Sequence, residues 1–137
     1  MWKPGPEEQA QTAFFDFCAL MASAHPAYAL AYHVPNERKA SIQRRVALKR
    51  AGVRKGVPDI VVPVPCGSFA ALYIELKIKP NKPSPEQLDL ISRLNQAGNF
   101  ATVAWSADEA IELMKLYVSG KLTREPIRPS IPASRVS

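Results

Sequence analysis

The stretch from Gly52 to Lys77, GVRKGVPDIVVPVPCGSFAALYIELK, restricts the possible folds more than any other part of the chain. It contains two apolar runs, DIVVPV and FAALYIEL, separated by a short turn at Cys66-Gly67-Ser68. Short runs rich in Val, Ile and aromatic residues, bounded by Gly and Pro, read as strands, and so brief a connection allows them to pair as an antiparallel hairpin. Asp59 opens the first run, and Glu75 and Lys77 close the second. Asp is disfavoured in strands, and an apolar strand normally ends without a charged pair. Residues two apart in a strand share a face, so Glu75 and Lys77 point one way while Ile74 and Leu76 point the other. If the two runs pair as a hairpin, Asp59 lies beside Glu75 and Lys77. Two carboxylates and an ammonium at one sheet edge are the components of a metal site with a positioned base or charge stabiliser.

With 137 residues the chain suits one domain with a real core. We expect that domain over residues 1–120 and a Pro-rich tail, irregular or packed on a partner subunit, over 121–137. An apolar fraction of 47% with mean hydropathy −0.12 fits a soluble globular protein. A net charge of +6 and a pI near 9.6 favour a polyanionic partner. Cys18 and Cys66 are too few for a disulfide framework or a zinc site, and read as reduced thiols. The start MWKPGPEEQ is no signal peptide, and no apolar run reaches spanning length. The expectation is a cytoplasmic protein with no membrane contact.

Residues 6–24 read as an amphipathic helix with Ala10, Ala13, Phe14, Phe17, Leu20 and Met21 on one stripe. Pro6 suits its first turn, where Glu7 and Glu8 complement the helix dipole. His25-Pro26 ends it, Tyr28–Val34 reads as a strand, and Pro35-Asn36 as a turn. His33 has no second His or Cys at ligand spacing and reads as a surface or core residue. Residues 36–55 carry Arg38, Lys39, Arg44, Arg45, Lys49, Arg50, Arg54 and Lys55 against the single acid Glu37. A helix is expected from Ser41 to Ala51, with Ile42 and Val46 on its buried side and Gly52 as its stop. A solvated helix usually mixes its charges, whereas a one-signed stretch answers the closely spaced charges of nucleic acid. Arg38, Lys39, Arg44, Arg45, Lys49, Arg54 and Lys55 are therefore candidate phosphate contacts. The glycines of this stretch form no P-loop, because GxxxxGK[ST] is absent.

Beyond the extended basic segment 79–83, Ser84 is an N-cap with Pro85 in the first turn and Gln87 as capping-box partner. Leu88, Ile91 and Leu94, with Leu90 beside them, are expected to face the core, and Gly98 closes the helix. Phe100–Trp105 is a buried strand, with Trp105 a core residue rather than a base-stacking one. Ser106–Glu109 repeats the capping signature ahead of a last helix to about Val118. The order is α/β, a mixed central sheet flanked by helices.

Glu7 with Gln11, VPNERK at 34–39, LKRAGVRKGVPDI at 48–60, LYIELK at 72–77 and SPEQ at 84–87 together resemble the virus-type replication-repair nuclease, or VRR-NUC, family of the PD-(D/E)xK superfamily. The resemblance covers residues 6–118. It implies a restriction-endonuclease-like core with the basic helix inserted before the Asp strand. It also implies that Asp59, Glu75, the backbone carbonyl of Leu76 and Glu7 hold Mg²⁺, with Mn²⁺ substituting. Glu8 remains a rival for Glu7. Lys77 would orient or deprotonate the attacking water or stabilise the phosphate, and Gln87 would stand beside the site. The function implied is a structure-selective endonuclease acting on branched DNA, similar to Holliday-junction resolvases. A homodimer, a bacterial or phage-infected cytosol and no further small-molecule cofactor complete that expectation. A DNA-binding module that does not cleave and a sequence-specific restriction-type nuclease are the alternatives.

Overall fold

The computed structural model describes residues 2–35 and 40–123. The chain runs α1 (Pro6–Leu20), α2 (Pro26–Leu30), β1 (Tyr32–His33), α3 (Ile42–Arg50), β2 (Ile60–Val62), β3 (Leu72–Leu76), α4 (Pro85–Gln96), β4 (Phe100–Ala104) and α5 (Ala107–Val118). The two apolar runs pair as expected. β2 and β3 are antiparallel, with Ile60 opposite Ile74 and Val62 opposite Leu72. The strands are shorter than the runs, because Pro63 and Pro65 have no N–H for a ladder. The turn closes through paired backbone bonds between Cys66 and Phe69, with Gly67 at φ +58°. That is a left-handed conformation which glycine adopts without a Cβ penalty.

The sheet has the order β1-β2-β3-β4, and only the β3–β4 pairing is parallel. That pairing needs a crossover, which α4 supplies. Alternation along the strands divides the two faces. Ile60, Val62, Leu72, Ile74 and Leu76 join Phe14 and Cys18 of α1 and Ala110, Met114 and Tyr117 of α5 in one core. Each large side chain fully removed from water there contributes about 1.5–3 kcal/mol. The opposite face carries Val61, Tyr73, Glu75 and Lys77. On that side α4 packs against β4, and the Asn95 amide brackets Ala101 by donating to its carbonyl at 3.0 Å and accepting its N–H at 2.8 Å.

Several expectations are corrected. The first helix stops at Leu20, and Tyr28–Val34 is not one strand: α2 occupies Pro26–Leu30, leaving a two-residue strand. The His25 ring accepts the Ala27 N–H at 3.0 Å, so the residue that ends one helix also caps the next. Ile42 and Val46 are not on a buried side: they are 69% and 56% exposed, and α3 has no buried residue. Leu88 does not face the core but is 51% exposed, and Leu90, Ile91 and Leu94 are half-buried. The N-caps Ser41, Ser84 and Ser106 each accept the N–H three residues on. In the last of these the Glu109 carboxylate reaches the Trp105 N–H instead of Ser106, and Trp105 is half-buried. Among the described residues no helix is long and apolar enough to cross a membrane.

Candidate active site

The β2–β3 register, extended one step outward, sets Asp59 opposite Glu75. A side-chain bond fixes the arrangement: Asp59 Oδ1 accepts the Leu76 N–H at 3.0 Å. The main-chain carbonyl of Asp59 accepts the Val34 N–H at 2.8 Å and is 2.9 Å from His33 Nδ1, which donates to it. The aspartate is thus anchored by strands on both sides.

Glu75 is 3% exposed and Lys77 6%, unusual burial for two charged groups at a strand end. Lys77 Nζ stands 3.4 Å from Glu75 Oε2, and the Gln87 amide donates to the same oxygen at 3.0 Å. Glu75 Oε1 is buried and has no hydrogen-bond partner among the described residues. Burial pushes the Glu75 carboxyl up to about 7, helped by the nearby Asp59 charge and opposed by Lys77. Burial also raises Asp59, against the Leu76 N–H, which favours its ionised form.

Gln87 combines two roles. Its side-chain oxygen accepts the Ser84 N–H at 2.8 Å while its amide nitrogen serves Glu75, so one side chain closes the α4 cap and steadies a site carboxylate. The turn before β2 packs on the same point. Gly56, at φ +91°, lies so close to α4 that a Cβ would stand 2.7 Å from the Glu86 carbonyl oxygen. Lys55 and Glu86 form an exposed ion pair at 3.6 Å beside it.

Glu7 reaches the edge of this cluster from α1. Its Oε2 accepts the Asn81 amide at 2.9 Å and the Ile78 N–H at 3.4 Å, and its charge raises both Asp59 and Glu75. Glu7 is half-buried and Glu8 exposed, and both line a pocket of about 350 Å³ with Ile78, Lys79 and Asn81. Asp59, Glu75, Lys77 and Gln87 therefore come together, with Glu7 at their border. Arg44, Arg45, Lys49, Arg54 and Lys55 lie on or just after α3, all exposed. Arg38 and Lys39, and most of the 121–137 tail, fall outside the described residues. His33, read from sequence as a surface or core residue, and Asn81, not singled out, both adjoin the cluster. An edge strand ending at His33 and paired to β2 would have pointed to the first; no pattern in the 78–81 loop pointed to the second.

Among the described residues no three His, Cys, Asp or Glu side chains gather tightly enough to chelate a cation by themselves. Mg²⁺ is accommodated by one or two carboxylates with the remaining positions left to water and substrate oxygen. Asp59 and Glu75 fit that donor set, and the unpartnered Glu75 Oε1 is a buried acceptor awaiting a positive or hydrogen-bearing neighbour.

The VRR-NUC domain family model matches residues 9–108. A solved structure described as a VRR_NUC domain protein superposes with a TM-score of 0.72 at 25% sequence identity, covering 86% of this chain and 92% of that one. Comparison with curated proteins finds no match.

Proposed function

From the premise that this chain belongs to the VRR-NUC family of nuclease-type domains, we propose that it is a divalent-metal-dependent, structure-selective DNA endonuclease. The observation that carries this reading is the buried Glu75 carboxylate, with one oxygen held by Lys77 and Gln87 and the other unpaired, opposite Asp59. A structural ion pair needs no unpaired buried oxygen, and a surface pair would be worth only about 0–1 kcal/mol.

Asp59 and Glu75 would hold Mg²⁺ or Mn²⁺, with the Leu76 carbonyl and Glu7 as further oxygens. A cation bound there neutralises phosphate charge and acidifies water from pKa 15.7 toward ~7. Gln87 keeps the Glu75 oxygen in place, and the Asp59–Leu76 bond does the same for the other acid. Lys77 offers an ammonium within the site, placed to hold the attacking water or stabilise charge on the phosphate. On and just after α3, Arg44, Arg45, Lys49, Arg54 and Lys55 would supply sequence-independent phosphate contacts. Branched DNA handled by a homodimer suits this arrangement, since two-fold symmetry places two sites on paired strands.

Labelled four-way junction, flap and linear duplex incubated with Mg²⁺, Mn²⁺ or EDTA test the reading. Cleavage of branched substrates with either metal and none in EDTA is expected. Binding without cleavage in every metal would leave only a DNA-binding module, and discrete cuts in linear duplex would point to a restriction-type enzyme.

A further inference from the structure

Helix α3 exposes two aliphatic side chains that folding does not explain. Ile42 and Val46 lie four positions apart, about 40° around the helix from one another. They are 69% and 56% exposed, and the helix keeps only Leu48 half-buried. The helix is a defined element all the same. Ser41 caps its start, and its end closes through Gly52 N–H to Lys49 O at 3.1 Å and Val53 N–H to Leu48 O at 2.9 Å, with Gly52 at φ +103°. Isolated exposed aliphatics are ordinary; here two share a face with cations on both flanks. At about 100° per residue, Arg45 and Lys49 border the pair on one side and Arg50 on the other.

The charges decide what covers this face. Residues 41–55 contain six Lys and Arg and no acid. The C-terminal residues 124–137 carry three Arg against one Glu and would be repelled. A second copy pairing helix to helix would oppose cation to cation. We propose that α3 docks on nucleic acid as an amphipathic unit: Arg45, Lys49 and Arg50 meet phosphates, while Ile42 and Val46 contact the apolar faces of sugars and bases between them. This rests on the DNA-directed reading above, but not on cleavage. It assigns Ile42 and Val46 a share of affinity that salt does not screen, because counterion release belongs to the cations alone.

Fluorescence anisotropy of labelled four-way junction in EDTA, repeated across salt concentrations, reads this without any cutting. The Ile42→Ser/Val46→Ser double variant should bind about tenfold more weakly at every salt concentration with its log–log slope unchanged. Ile42→Leu/Val46→Leu should restore affinity, and Arg45→Gln/Lys49→Gln/Arg50→Gln should shorten the slope by about three. Because both aliphatics are exposed, the melting temperature should not move. Native affinity in the Ser variant overturns the proposal. So does a loss that follows dissociation of a dimer in sedimentation velocity, which would assign the face to a second copy. Tighter binding of native protein to phosphatidylserine–phosphatidylcholine vesicles than to DNA also overturns it. Failure of the nuclease reading would show separately, as absent cleavage with Mg²⁺ while these binding differences persist.

Discussion

At the scale of single residues, Glu75 sets the behaviour of the site. Its folded-state carboxyl titrates near 7 instead of 4.5, so the native state holds a proton that the unfolded chain has already released. The corresponding stability is present below the ordinary carboxylate pKa and is lost as pH rises through about 7. Metal-free protein should therefore become less stable by ~1–3 kcal/mol between about pH 5 and pH 8, as calorimetry in EDTA would read. Mg²⁺ should recover much of that loss at the alkaline end, and Glu75→Gln should flatten the profile. A melting temperature that climbs across this range would contradict the assignment. Cleavage should run the opposite way and increase toward alkaline pH, because the ionised carboxylate is the form that accepts metal. Asp59→Ala and Lys77→Ala are each expected to reduce cleavage by about 10²-fold or more while junction binding in EDTA survives. Undiminished cutting by the Asp59 variant would mean that the chemistry happens elsewhere.

Among the elements, the start of α4 is the sensitive one. Gly56→Ala would place a methyl 2.7 Å from the Glu86 oxygen and 3.1 Å from the Gln87 nitrogen, in a backbone conformation that Ala resists. Backbone atoms cannot swing aside, so about 1–3 kcal/mol of stability should be lost, measured by urea unfolding. Ser84→Ala, which removes only the cap, should cost about 1 kcal/mol. Gln87→Ala should lower cleavage more than Ser84→Ala does, because it also releases Glu75; equal effects would reduce Gln87 to a cap. Elements of this kind differ in how far their sequence reveals them. Strand parity sufficed to place Glu75 and Lys77 together on the face opposite Ile74, and serine with proline and glutamine marked α4. Helical spacing showed that Ile42 and Val46 share a face, but spacing carries no information about whether a neighbour covers that face. The α2 turn was missed because His25 reads as a stop, and only its ring position reveals a second cap. Glu7 depends on a loop at Ile78–Asn81 that has no periodicity, so its partners were legible only in three dimensions.

For the molecule as a whole, the basic stretch on and after α3 and the acids of the candidate site occupy different segments. Arg44, Arg45, Lys49, Arg50, Arg54 and Lys55 are exposed on α3 and in the loop before β2, whereas Asp59 and Glu75 sit at the ends of β2 and β3. Replacing Arg44, Arg45 and Lys49 with Gln should weaken DNA binding and flatten its dependence on salt, in gel shifts across a salt series. Unchanged salt dependence would place the polyanion on another surface. The two regions nonetheless meet at Gly56, where the loop bearing Arg54 and Lys55 rests on the turn that presents Gln87 to Glu75. A DNA strand seated on that loop would therefore bear on the turn that holds Gln87 against Glu75.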